Sequence, residues 1–279
     1  MRPVMNTKPD VAQFDYPVGA LLMMSMGECC AMCERPLLAE SLVWDRDKEQ
    51  VVQGKTNADE WANMLLLCHN CGQDAETSKT QNISSHALVY PDRQLTFGLT
   101  ETSLFQYELE KVEQVQLDEN NKPIGETITK EVVLIKGGNE AAQQTIDFFK
   151  LNSHYYNQEK NTFFLPMNED PQQLDRRLDL RTQAWQRADS FVQLFKQTDH
   201  KDVREALASN VRNSISHSGF WSVWVTRFWQ AFEDKEMIRM LFGNPKEPEQ
   251  AKGLQNEVPL LRGQGPHNHF VGTNDGWLD

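Results

Sequence analysis

Residues 30–71 read CAMCERPLLAESLVWDRDKEQVVQGKTNADEWANMLLLCHNC, opening on Cys30-Ala31-Met32-Cys33 and closing on Cys68-His69-Asn70-Cys71. Two residues between cysteines let both thiolates face one ion from a single tight turn, so each pair supplies half a tetrahedron. Together the pairs predict a closed site for structural zinc with Cys30, Cys33, Cys68 and Cys71 as ligands. Cys29 adjoins Cys30 and competes for its place; Cys30 is preferred because it keeps the two-residue gap. A redox CxxC would need one pair only, within a βαβ pattern that this stretch lacks. The pairs stand further apart than in a simple zinc ribbon, so folded elements are expected between them.

Outward from this stretch, the chain has 279 residues, enough for one or two domains. Its 39% hydrophobic and 24% charged residues are ordinary for a soluble globular protein. The net charge of -12 bears on function. A protein that grips DNA unaided shows a basic face, because phosphate neutralisation dominates that affinity. Any basic surface here must be local, or supplied by a partner. The apolar run Ala20–Met24 is short and lacks a cleavage-site pattern, and no stretch reaches membrane-spanning length. With the cysteines arranged for metal, the expectation is a cytoplasmic protein with no membrane partner.

Beyond the second pair, residues 88–137 alternate as strands do, with Phe105–Glu110, Val112–Leu117 and Glu131–Ile135 separated by the turn signal Asp118–Gly125. They predict a β-hairpin or small meander. Residues 138–243 then read as helices: Asn139–Leu151, a long one opened by Asp170-Pro171, Val203–Ser216, Phe220–Phe232 and Lys235–Phe242. The long helix sets Leu174, Leu178, Ala184, Trp185, Ala188, Val192 and Phe195 on one face. Arg176, Arg177, Arg181 and Arg187 fall largely on the other, which makes Arg176, Arg177 and Arg181 the best candidates for nucleic-acid contact. Asp175, Asp179 and Asp189 are interleaved with them, and ion pairing along a solvated helix is the favoured alternative. Residues 244–279 are rich in Pro, Gly and Asn and predict an irregular tail, with His267 and His269 as solvent-exposed residues.

The stretch around the cysteines resembles the HNH endonuclease family in its form with flanking zinc knuckles. The resemblance rests on Cys30–Glu34, on Trp61-Ala62-Asn63-Met64-Leu65-Leu66-Leu67, and on Cys68–Cys71. Weaker matches continue through Met1–Val4, Tyr90-Pro91-Asp92, Thr145-Ile146-Asp147 with Leu151-Asn152, Arg181–Trp185 and Gly219–Trp224, and are similar to HNH proteins of bacterial Septu-like antiphage operons. The resemblance implies an α+β chain. A zinc-bound ββα module at 1–87 carries the β extension at 88–137, followed by the helical domain at 138–243 and the tail at 244–279. It also implies an ATPase as partner protein, with DNA as a further partner.

Family catalysis needs an acid and a His side by side at the end of the first strand, to bind a metal and to activate water. Here that strand reads Ser41-Leu42-Val43-Trp44-Asp45-Arg46-Asp47, and no His lies between the two cysteine pairs. The Asn that follows the last cysteine in the family is Gly72. Two readings follow. The favoured one keeps the zinc fold and loses nuclease turnover, leaving recognition or scaffolding. The other recruits Asp45, Asp47, His69 or His86 to a rewired site braced by Asn63, with Mg²⁺ or Mn²⁺ expected only if that site is active. The catalytic candidates are therefore Asp45, Asn63 and His69.

Overall fold

The run Met64-Leu65-Leu66-Leu67 has no polar face, and each of its side chains is wholly excluded from solvent. A strand buried on both faces reads as such a continuous apolar run. It forms β3 (Met64–Cys68), paired antiparallel with β1 (Ser41–Asp45) in the register Ser41↔Cys68 and Trp44↔Leu65. Strand β2 (Gln50–Val52) closes a hairpin on the other side of β1, so the sheet order is β2-β1-β3. A 3₁₀ turn at Ala58–Asn63 leads into β3, and α2 (His69–Ser78) leaves it directly. The apolar run near the start forms α1 (Val18–Met26), which packs on β3 and β1. The computed structural model describes residues 1, 18–37, 41–52, 58–79, 87–93, 96–99, 103–166 and 175–242, with the backbone alone at 24 and 58–60.

The second sheet is built on the expected hairpin. Strands β4 (Phe105–Leu117) and β5 (Pro123–Gly137) pair antiparallel around a turn in which the Asp118 carboxylate accepts from the amides of Asn120 (2.8 Å) and Lys122 (2.9 Å). Helix α3 (Glu140–Phe148) follows, capped by the Asn139 side chain accepting from Ala142 N at 2.8 Å. The sheet does not end at residue 137, as the alternation had implied. Strands β6 (Tyr156–Asn157) and β7 (Thr162–Pro166) extend it, with β7 parallel to β4, to give the order β5-β4-β7-β6. The hairpin and the region after it therefore share one sheet.

Helix α4 (Arg177–Lys196) lies along the outer edge of β5. An uncovered edge strand exposes a row of backbone donors and acceptors. Here Thr182 Oγ1 accepts from Val133 N at 3.0 Å, and Arg181 Nη1 donates to Val133 O at 3.2 Å. Beside them Asn152 bonds both the amide and the carbonyl of Ile135, at 2.8 and 2.9 Å, as a neighbouring strand would. Helices α5 (Lys201–Ser218), α6 (Trp221–Phe232) and α7 (Lys235–Phe242) complete the helical part, each within a few residues of its predicted bounds. The predicted opening of the long helix at Asp170-Pro171, its Leu174, and the tail lie outside the described residues. Among the described residues no helix is long and apolar enough to cross a membrane.

One contiguous core runs from Leu22 of α1 through the cysteines, Trp44, Phe105 and Val133 to Trp224 and Phe242. A smaller cluster of Val112, Val132, Leu134, Phe163 and Leu178 covers the other face of the second sheet. The cysteine turn is bolted to the helices through Glu34. Its carbonyl accepts from Phe220 N (3.0 Å), and its buried carboxylate accepts from Ser222 N (2.8 Å) and from the Tyr107 hydroxyl (3.1 Å). Helix α6 has no side-chain cap of its own, so Glu34 caps it from across the fold and sets a negative charge at its positive end.

That junction requires glycine at 219. Its φ of +69° lies in the left-handed region, and a Cβ there would stand 2.3 Å from the Glu34 carbonyl oxygen and 2.8 Å from Pro36 Cδ. Gly125 has a similar φ of +73° with nothing within 4 Å of an added Cβ. Gly125→Ala is therefore expected to cost about 1 kcal/mol from backbone strain alone. Gly219→Ala adds a collision with backbone and is expected to cost more than about 2 kcal/mol. Urea denaturation of both variants measures the difference, and equal losses would contradict the tight seating of the cysteine turn on α6.

Candidate metal centre

The first cysteine pair sits in a turn held by backbone bonds. Cys30 N donates to Arg35 O (2.9 Å) and Glu34 N to Cys30 O (3.0 Å), while Ala31 N reaches Leu66 O of β3 at 2.8 Å. The second pair straddles the junction of β3 and α2, with Cys68 ending the strand and Cys71 in the first helical turn. Arg35 Nη1 donates to Asn70 Oδ1 at 2.9 Å and ties the two turns together.

This framework brings Cys30, Cys33, Cys68 and Cys71 into one cluster whose sulfurs all lie within 4.8 Å of one another. All four side chains are buried, and Cys33 Sγ stands 3.6 Å from Cys68 Sγ. Sulfurs about 2.3 Å from a tetrahedral zinc are separated by about 3.8 Å, so the spacing suits that ion. Four soft sulfur donors with no carboxylate among them suit zinc chemically, and a full set of protein ligands marks a structural centre. Cys29, partly exposed, is not in the cluster.

The electrostatics point the same way. Burial pushes the Cys33 and Cys71 thiols well above their ordinary pKa. Cys68 is held well below it, because Cys30, and after it Cys33 and Cys71, hydrogen-bond to its sulfur. Without a cation such a cluster favours one thiolate solvated by thiols. A dication in its midst favours the charged form of every ligand, which is why binding releases protons and couples to folding.

Arg177 completes the surroundings. It is wholly buried, and its guanidinium donates to Cys71 Sγ (3.3 Å), Phe149 O (2.6 Å), Asp74 Oδ2 (2.5 Å) and both oxygens of Asp175 (2.9 and 2.7 Å). The two carboxylates respond differently. Burial raises the pKa of Asp74 more than its single bond to Arg177 lowers it. Burial also works to raise that of Asp175, but two bonds from the Arg177 side chain and the amides of Arg177 and His154 hold it below the ordinary value.

The expected arginine surface is accordingly revised. Arg177 and Arg181 are fully buried, with Arg181 bonded to the carbonyls of Val133 and Leu151 and to Asn152 Oδ1. Neither is presented to a phosphate outside the protein in this fold. The alternative of i,i+4 pairs along a solvated helix does not describe them either. Asp179 pairs with Lys130 of β5, and Asp189 with Arg227 of α6. Arg176 and Arg187 are the exposed members of the group.

The catalytic candidates are not brought together around a second ion. Asp45 is buried, and its Oδ1 accepts from the amides of Asp47 (3.0 Å) and Lys48 (3.1 Å) in the β1–β2 turn, with Lys48 Nζ at 3.3 Å from Oδ2. Asn63 bonds Asp47 and accepts from Arg93 Nη2 at 3.1 Å. The His69 side chain is exposed at the start of α2, and His86 lies outside the described residues. The side of β1 toward Asn63 is filled by Arg46, buried over the Tyr90 ring and bonded to Asp92 at 2.6 Å. Among the described residues the four cysteines are the one group of three or more His, Cys, Asp or Glu close enough to share a metal.

Glu34 and Arg177 are the residues that reading the sequence did not assign to this centre. Glu34 was visible as the neighbour of Cys33. Arg177 meets partners 28 and 106 positions away, which no local pattern reveals. Comparison with protein-family models, curated proteins and solved structures gives no match for the chain. Elemental analysis of the purified protein is expected to find one zinc per chain. Cys33→Ser and Cys68→Ser are expected to lose it and to be destabilised, and Cys29→Ser to keep it. Wild-type protein that purifies folded and free of metal would refute the centre.

Proposed function

We propose that the chain is a zinc-stabilised, HNH-like subunit of a bacterial antiphage complex, working beside an ATPase in DNA recognition or scaffolding without nuclease turnover of its own. The observation that carries this reading is the occupancy of the strand end where the family's acid and His would stand. Trp44 is wholly buried there, with Lys79 Nζ 5.2 Å from its ring. Asp45 is taken up by the hairpin turn. An indole is no ligand for a hard dication, and a carboxylate bonded to two amides is poorly placed to take a proton from water.

The succession β1, β3, α2 around four cysteines supports the HNH part of the reading, as do the residues quoted for that resemblance. For a nucleic-acid contact, the exposed Arg187 offers a more accessible place than its buried neighbours. It lines a groove of about 510 Å³ between α4 and α5 with Phe191, Asn210, Asn213, Ser214 and His217. A guanidinium beside amides and an aromatic ring suits a phosphate next to a base. With a net charge of -12 over the whole chain, such a contact would be local and weak without a partner.

Incubation with plasmid DNA and Mg²⁺ or Mn²⁺, with and without an ATPase encoded beside it, is expected to give no cleavage by this chain. Cleavage that disappears in Asp45→Ala would overturn the proposal in favour of a rewired nuclease. In a binding titration of the complex, Arg187→Glu is expected to weaken DNA affinity and lower the salt slope by about one. The absence of a neighbouring ATPase gene would count against the defence assignment.

A further inference from the structure

We infer that Arg177 is a fifth member of the metal centre, so that retention of the metal and seating of α4 are one equilibrium. The inference rests on the four cysteines holding a metal and does not depend on the nuclease resemblance. A guanidinium carries five N–H groups in a rigid fork. At Arg177 all five are engaged: one by a ligand sulfur, one by a carbonyl and three by two carboxylates.

The partners come from three separate parts of the fold. Cys71 and Asp74 lie one turn apart on α2, Phe149 ends α3, and Asp175 precedes α4. Asp175 and Asp74 already match the positive charge, so the bond to Cys71 acts as an aimed hydrogen bond on the sulfur. Such bonds from outside the ligand set orient the ligand and tune its hold on the metal, and losing one costs about 10- to 100-fold in affinity. The converse follows by linkage. If the sulfur moves when the metal leaves, the guanidinium keeps a buried N–H without an acceptor, and α4 is left with Asp74 as the one remaining partner of Arg177 on α2.

Arg181 supplies the control. It is equally buried on the same helix, yet its bonds go to the edge of β5, to Asn152 Oδ1 and to Leu151, and none reaches a cysteine sulfur. The test uses the full-length protein with zinc, and separately with Co²⁺ in its place. In Arg177→Met, transfer of zinc to a chromophoric chelator is expected to run about 10- to 100-fold faster, and the thiolate-to-cobalt charge-transfer band to shift. Arg177→Lys should recover part of both. Arg181→Met should lose stability while keeping the wild-type band and release rate.

Wild-type release and an unshifted band in Arg177→Met would overturn the inference, as would equal acceleration in Arg181→Met. Should Arg177→Met fail to fold, hydrogen exchange on the wild-type protein decides. On chelation, amides 177–184 are expected to lose protection ahead of those in β4 and β5. Protection of α4 that persists, or that falls only in step with the whole chain, would overturn the inference. Purified wild-type protein without any metal would instead sink the metal centre itself.

Discussion

Four cysteine sulfurs gathered within 4.8 Å, in a place closed to water, form an arrangement that an uncharged interior tolerates poorly. Each thiolate that forms there needs a positive partner or a hydrogen bond, and the thiols here direct theirs to one of their number, Cys68. A tetrahedral dication satisfies all four at once. The rest of the fold is arranged around that need. Strand β3 delivers Cys68, the first turn of α2 delivers Cys71, and a turn pinned to Leu66 delivers Cys30 and Cys33. Two further side chains carry the constraint outward. Glu34 hands the cysteine turn to α6, and Arg177 hands Cys71 to α4. The helical part therefore does not merely follow the four-cysteine module in sequence; it closes over it, and the two share one core.

How far this was legible in the sequence depended on how local each signal was. The cysteine pairs, the Asp118 turn, the Asn139 cap and the bounds of α5 to α7 are set by neighbours a few residues away, and those features match the structure closely. Strand β7 escaped because its partner β4 lies some fifty positions back, and a five-residue strand between helices carries no turn signal of its own. The short apolar stretch that became α1 was read only for what it was not.

The arginines of α4 are the instructive failure. A wheel of Arg and Asp on one face and apolar residues on the other describes a solvated helix, and nothing local contradicts it. What buries Arg177 and Arg181 is a supply of acceptors from distant segments: the carbonyls of Val133, Phe149 and Leu151, the Asn152 side chain and a cysteine sulfur. A guanidinium survives burial when its N–H groups are matched, and that matching is a tertiary fact. The helix also serves the sheet, since Arg181 and Thr182 occupy the edge of β5 that would otherwise stand open.

On the HNH reading, the missing chemistry is walled off as well as substituted. Gly72 stands where the family's Asn would supply a metal ligand, and a Cβ there would meet Leu42 Cδ1 at 2.5 Å. A side chain at 72 would have to displace the tip of the half-buried Leu42. At the end of the strand, Trp44 fills the core, and Arg46 just beyond it lies over the Tyr90 ring and pairs with Asp92. Restoring a catalyst would require an acid and an imidazole in place of Trp44 and Asp45, room at 72, and removal of a buried ion pair. Single changes on the strand toward that end leave a cavity or an unpaired charge, each costly by itself. The four-cysteine frame carries none of these conflicts, which on that reading is a physical reason for such a module to keep its metal-binding fold after its reaction has gone.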